Sequence, residues 1–195
     1  GADWFSLHQL SIYNNSNSYA CAIDLRNGAS NNRISNSAVR GRSVQSTSNA
    51  FAVIYSASTD DPNNAFLNNY ILNGSMGINL QGDFSGTAEL GTEIIGNTLE
   101  GQYNHGIDLN YLDAPLVEGN RLTSDRVRST YSGIYLSSCS NALRILNNFV
   151  YSVDQGDGIH MNSCSGTSLQ RGLIANNAIS MGNASFADGT GIYLS

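Results

Sequence analysis

Along the chain, short stretches alternate apolar and polar residues, and two such phrases return in turn. The first is a small residue, an aliphatic, a variable position and a second aliphatic. It stands as Gly77-Ile78-Asn79-Leu80, Gly106-Ile107-Asp108-Leu109, Gly133-Ile134-Tyr135-Leu136, Gly158-Ile159-His160-Met161 and Gly191-Ile192-Tyr193-Leu194. Ala22-Ile23-Asp24-Leu25 and Ala52-Val53-Ile54-Tyr55 read as earlier, degenerate copies. From Gly77 onward the phrase returns after 29, 27, 25 and 33 residues. The second phrase lies between copies of the first and carries Asn between aliphatics. It reads Leu67-Asn68-Asn69-Tyr70-Ile71, Ile95-Gly96-Asn97-Thr98-Leu99, Leu146-Asn147-Asn148-Phe149-Val150 and Ile174-Ala175-Asn176-Asn177-Ala178-Ile179. Val117 to Leu122 is a shifted copy, and Ile34-Ser35-Asn36-Ser37-Ala38-Val39 a worn one.

A period of two predicts half-buried strands, and helical spacing is sustained nowhere. A short repeat cannot bury its own apolar face, so successive copies must stack, like on like. Ile then lies on Ile and Asn on Asn, and stacked amides bond to one another along the axis. Leucine-rich repeats would need denser Leu at a shorter period. Helical repeats would need helix formers in place of Asn, Ser and Gly, and a propeller blade would need about 40 residues per unit. An immunoglobulin-like sandwich leaves the aligned phrases unexplained. The pattern therefore predicts an all-β chain, a right-handed parallel β-helix (solenoid) of about seven coils, as a single domain over residues 1–195.

The Gly-Ile-x-Leu and Ile-x-Asn-Asn-x-Ile phrases resemble the repeats of the pectin-lyase-like superfamily over nearly the whole chain. That resemblance implies the fold and leaves the activity open, because the superfamily includes polysaccharide lyases, glycoside hydrolases, uronan epimerases, phage tailspikes and adhesins. Gly191 to Ser195 opens a coil without completing it, and Trp4 to Ile12 is already strand-like. The expectation is an excerpt of a longer solenoid, with end-to-end self-association as the alternative.

Composition narrows the partners. Charged residues make up only 12% of the chain, yet 41% is hydrophobic, so a packed core is within reach. The net charge is −6, and all nine basic residues are Arg. Nucleic acid and anionic membranes are poor partners for such a surface. No apolar run is long enough to span a bilayer, and no signal peptide is visible at Gly1, as in a mature, excised or cytosolic chain. A surface of amides and hydroxyls suits an extracellular or cell-surface protein and a polysaccharide or glycan partner.

In a β-helix the variable residue of each first phrase points outward. Stacked, these residues form a stripe of Asp24, Asn79, Asp108, Tyr135, His160 and Tyr193, with Gln81, Asn110, Ser137 and Asn162 as a second stripe two residues on. Rings cover the apolar faces of sugars and amides match their hydroxyls, so Asn79, Asp108, Tyr135, His160, Tyr193, Asn110 and Asn162 are the candidate glycan contacts. The competing reading is an ordinary solvated sheet face. Asp108, His160 and Asp157 are the candidate catalytic residues, with Asp113 and Glu118 on the loop after Asp108. Asp108 and His160 lie two coils apart, about 10 Å, wide even for an inverting pair of carboxyl groups.

The Asp157-Gly158-Ile159-His160 run resembles fragments of pectin-degrading hydrolases, but the paired acids, Gly-His-Gly and Arg-Ile-Lys of those enzymes do not occur together here. The Asp-Pro-His-Glu motif of alginate epimerases is also missing. Lyase chemistry would have to rely on Arg or on an aromatic or His base, and Arg126 and Arg128, which share one loop, read either as a grip for an anionic sugar or as an exposed loop pair.

No cofactor and no metal are expected. Asp154 and Asp157 alone fall short of a Ca²⁺ ligand set, and His8, His105 and His160 share no zinc spacing. His105 reads as a stacked residue and Asp60-Asp61-Pro62 as a turn. Cys139 and Cys164 occupy matching places on adjacent coils and read as a buried cysteine ladder, with a disulfide geometrically open. The Asn14, Asn73 and Asn183 triplets match the glycosylation pattern at a frequency that chance supplies in so Asn- and Ser-rich a chain. Clean repeats favour a rigid structural, adhesive or glycan-binding element. The alternative is part of a carbohydrate-active enzyme, a polysaccharide hydrolase, lyase or transglycosidase, with its site on the outward face.

Overall fold

The structure is a computed structural model that describes residues 1–58, 60–84, 89–153, 155–182 and 189–195. Each repeat folds into one coil carrying three short strands, and the stacked coils form three seven-stranded parallel sheets. The first sheet runs from Ser6–His8 through Ala65–Leu67 and Leu116–Glu118 to Leu173–Ala175. The second runs from Ser11–Tyr13 through Thr98–Glu100 to Ala178–Met181. The third consists of Ile23–Leu25, Ile54–Ser56, Met76–Gln81, His105–Asn110, Tyr131–Ser137, Gly156–Asn162 and Gly189–Leu194. The chain is thus the all-β parallel β-helix that its repeats predict.

Stacking is strictly in register. Ile78, Ile107, Ile134, Ile159 and Ile192 pair from coil to coil, and their following Leu or Met residues pair likewise. The inward residues of all three sheets merge into one core, in which Ile34, Phe66, Ile94, Leu99, Leu122 and Ile145 are fully buried. The small residue that opens the first phrase has a steric cause. A Cβ on Gly106 would lie 2.6 Å from the carbonyl oxygen of Gly133 and 2.4 Å from Leu122 Cδ2. No side chain fits there without moving backbone.

The two Asn of the second phrase do different jobs. The first turns the chain: Asn36, Asn68, Asn147 and Asn176 have φ between 50° and 56°, and Gly96 and Gly119 replace them in the two intervening coils. Asn and Gly are the residues that enter this left-handed region most readily. The second Asn is buried and bridges coils. Asn97 Oδ1 accepts from the backbone N–H of Asn69 at 2.9 Å, Asn120 Oδ1 from Asn97 at 2.9 Å, and Asn148 Oδ1 from Asn120 at 2.9 Å. Each side-chain amide also donates to a backbone carbonyl of the preceding coil, as Asn120 does to Ile94 at 2.8 Å. In the worn copy the bridging position is taken by Ser37, whose hydroxyl accepts from the N–H of Leu10.

One alignment needs correction. Ala52-Val53-Ile54-Tyr55 does not carry its variable residue at Ile54. Ile54 pairs with Ile23 and Ile78 and is fully buried, while Tyr55 pairs with Asp24 and Asn79. The copy is shifted by one residue, and in a strand such a slip exchanges the inward and outward faces.

Candidate functional site

The third sheet carries the outward stripe. Asp24, Tyr55, Asn79, Asp108, Tyr135, His160 and Tyr193 pair along it one coil after another. The structure brings these residues into line as expected, with Tyr55 added, but it does not leave them equally open. Asn79 is 0% and Asp108 6% exposed, so the expectation that Asp108 faces solvent is corrected. The carboxylate of Asp108 sits between two amides: Asn79 Nδ2 donates to Oδ2 at 2.8 Å and Asn110 Nδ2 to Oδ1 at 2.8 Å. Asn79 Nδ2 also lies 3.0 Å from Met76 Sδ. The middle of the stripe is therefore a closed polar cluster, and two accessible regions remain on either side of it.

Beyond the cluster stand four rings in a column. His105 stacks on Tyr135 with centroids 4.9 Å apart, Tyr135 meets His160 edge-on at 5.0 Å, and His160 meets Tyr193 edge-on at 4.7 Å. The coil spacing of the sheet dictates these separations. Asp157 Oδ2 lies 2.8 Å from His160 Nδ1 and fixes that ring. Asn162 Nδ2 reaches Tyr135 Oη at 3.5 Å. Burial, with Arg128 and His160 nearby, pulls His105 down to about 3, so that ring is neutral throughout the physiological range. Of the three catalytic candidates, Asp157 and His160 meet. Asp108 is separated from them by the Tyr135 strand. Asp113 contacts Ser140 and Asn141, and Glu118 belongs to the first sheet, where it accepts from Asn147 at 3.1 Å. Neither joins His160. Asp154 and the Asn183 triplet lie outside the described residues.

At the other side of the cluster, a cleft of about 560 Å³ is lined by Asp24, Arg26, Asn27, Tyr55, Ser58 and Asp60. Tyr19 Oη donates to Asp24 Oδ2 at 2.6 Å, Arg26 Nε donates to the same oxygen at 2.7 Å, and Arg26 Nη2 donates to Tyr19 Oη at 2.9 Å. Asp24 Oδ1 is buried with no partner. Reading the sequence missed this cleft. The Asp24-x-Arg26 spacing on one strand face was the available signal, and the one-residue shift hid Tyr55.

The burial of Asp108 makes a prediction about pH. Desolvation pushes its carboxyl up to about 6, against the two amide bonds that hold it down. Between the unfolded value near 4 and this raised value, the folded chain keeps a proton that the unfolded chain has released. Stability therefore falls as pH rises through that window, by about 3 kcal/mol, and stays lower above it. Glu89, raised to about 7 chiefly by burial, adds a slope of the same sign. Urea midpoints measured from pH 4 to pH 7 on wild type and Asp108→Asn isolate the Asp108 share. Parallel curves for the two proteins would show that the assigned shift is wrong.

The comparisons with known proteins agree with this architecture. The family model described as "Periplasmic copper-binding protein (NosD)" matches residues 8–194. No curated protein matches the chain. Among solved structures, the Streptococcus pneumoniae surface protein and adhesin PfbA aligns with a TM-score of 0.51 at 11% identity, covering 99% of this chain and 67% of that one. At that identity the likeness concerns the fold. The family match spans nearly all of the stacked repeats, and on it the chain belongs to the NosD family of parallel β-helix proteins.

Proposed function

We propose that the protein is a rigid surface module, working outside the cytoplasm, that adheres to carbohydrate through the outward face of its third sheet. The observation that carries this reading is the column of rings from His105 to Tyr193, set about one coil apart beside the amide of Asn162. Tyr193 is 46% exposed, and Tyr135 and His160 are partly exposed. Regularly spaced ring edges and faces give successive sugar units an apolar surface, and the amides beside them match hydroxyls. The cleft at Asp24, Arg26 and Tyr55 offers a second contact on the same face. In it Arg26 is already paired with Asp24, which favours neutral over acidic sugars. The paucity of charge elsewhere suits a surface that works by many weak polar contacts. The described adhesive role of PfbA, a fold neighbour, is in keeping with this use of the architecture.

The family description also names copper. Among the described residues no three His, Cys, Asp or Glu side chains converge on a point where one ion would touch them all. His105 and His160 have the Tyr135 ring between them, and Cys139 belongs to the apolar core with Cys164 partly buried against it. These residues do not fit a resident copper centre.

The test is binding of the purified chain to a panel of neutral and acidic polysaccharides, with release of reducing ends followed in parallel. Binding without cleavage is expected. Tyr135→Ala should weaken it about tenfold, equivalent to about 1.4 kcal/mol, with the far-ultraviolet circular dichroism unchanged. Equal binding by Tyr135→Ala would remove the ring column from the reading. Release of new reducing ends would replace adhesion by the enzymatic alternative.

A further inference from the structure

We infer that Cys139 and Cys164 form a redox-active pair that closes to an intramolecular disulfide, joining two adjacent coils covalently. This inference does not depend on the carbohydrate reading. It rests on the pairing of the backbone beyond the third sheet. Ser138 N donates to Asn162 O at 2.9 Å, and Ser165 N donates to Cys139 O at 3.0 Å. In a parallel ladder the second bond places Cys139 directly opposite Cys164. The same pattern one coil earlier, Ser140 N to Leu112 O at 2.9 Å, sets Leu112 opposite Cys139. The column is inward: Leu112 and Cys139 are fully buried, and Cys164 packs partly buried against the core. Directly opposed residues of adjacent strands have Cα atoms about 4.8 Å apart, inside the range of about 4.4–6.8 Å that disulfides span. Cys139 Sγ lies 3.5 Å from Leu109 O and Cys164 Sγ 3.6 Å from Asn162 O, and each thiol shifts the titration of the other.

The third cysteine differs. Cys21 is buried four coils from Cys139, and its thiol lies 3.5 Å from the carbonyl of Asn49. It serves as an internal control.

The pair is asymmetric in the way exchange chemistry requires. The hydrogen bond from Cys139 pulls Cys164 down to about 7, while the same bond and burial hold Cys139 up. Cys164 is also the more exposed of the two. Its thiolate attacks one sulfur of a disulfide oxidant such as oxidised glutathione, forming a mixed disulfide and expelling one glutathione thiolate. Cys139 then passes its proton to the expelled thiolate and attacks Cys164 Sγ. The second glutathione leaves as a thiolate and takes up a proton from water. Two protein thiols are oxidised, and one small-molecule disulfide is reduced to two thiols.

The experiment equilibrates the native chain in glutathione buffers from reducing to oxidising. It then quenches in acid, denatures, labels free thiols with a maleimide and measures intact mass. A second arm refolds the denatured chain in the same oxidising buffer, so that access of the oxidant is not limiting. The expected result in oxidising buffer is loss of two of the three thiols, a mass lower by two hydrogens before labelling, and a Cys139–Cys164 cross-linked peptide on digestion. Cys21→Ser should still form the bond, and Cys164→Ser should not. Three labelled thiols after oxidising refolding would overturn the inference, as would a glutathione adduct on Cys164 that Cys139 never displaces.

Discussion

Replacing Ile134 by alanine is expected to lower the free energy of unfolding by about 2–5 kcal/mol, the range for truncating a fully buried aliphatic. Ile134 has no exposed surface and lies between Ile107 and Ile159 in the central column of the third sheet. Alanine there removes three carbons from a position that the neighbouring coils cannot collapse to fill. Their spacing is fixed by backbone bonds on both sides, so the lost contacts appear in full as a cavity. Urea denaturation should show a lower midpoint with an unchanged slope. The matched control is Leu169→Ala. Leu169 is 94% exposed, and its loss should stay within about 0.5 kcal/mol. If both substitutions cost the same, the stacked core is not where stability resides. Because a solenoid sums contributions from neighbouring coils, a broadened transition would mean that the cavity has uncoupled the two halves of the stack.

A second large effect is expected at Asn120, a residue with no apolar contribution to the core. Its Oδ1 accepts from both the backbone N–H and the side-chain amide of Asn97, at 2.9 and 3.0 Å. Its own amide donates to Ile94 O at 2.8 Å and to Asn148 Oδ1 at 3.0 Å. Asn120→Ala leaves the Asn97 N–H and the Ile94 carbonyl buried without this partner. Each orphaned group costs about 1–3 kcal/mol, so the total should be about 3–5 kcal/mol. Asn120→Asp tests the cause. It keeps the size and one accepting oxygen, but replaces the donating amide with a second accepting oxygen that faces the Ile94 carbonyl and Asn148 Oδ1. It should destabilise as much as alanine at neutral pH and recover part of the loss in acid, where a protonated carboxyl donates again. Full stability of Asn120→Asp at neutral pH would rule out the bridging role.

Much of this is visible in the sequence because the two phrases are local records of a repeated environment. Ile at the second position of the first phrase is inward in every copy, and the opening glycine follows from the closeness of the next coil's carbonyl. The double Asn is legible as a recurring feature, though not as two roles. Only backbone angles separate Asn147, which turns the chain, from Asn148, which bridges coils. The shifted copy at Val53 to Ser56 was misread because it keeps neither the glycine nor the second aliphatic. Nothing in its local pattern marks which face Ile54 occupies.

The alternation of apolar and polar residues and its recurrence determined the parallel β-helix, its inward residues and the line of outward ones, because period and repetition are written residue by residue. Accessibility was decided only by the tertiary structure. Whether an outward side chain meets water depends on what stands above and below it: Asp108 is closed off between Asn79, Asn110 and their neighbours, while Tyr193 in the same line stays open. The cleft at Asp24, which Tyr55 of the next coil helps to line, and the opposition of Cys139 to Cys164 arise in the same way, from residues distant in sequence that the coil lengths place side by side.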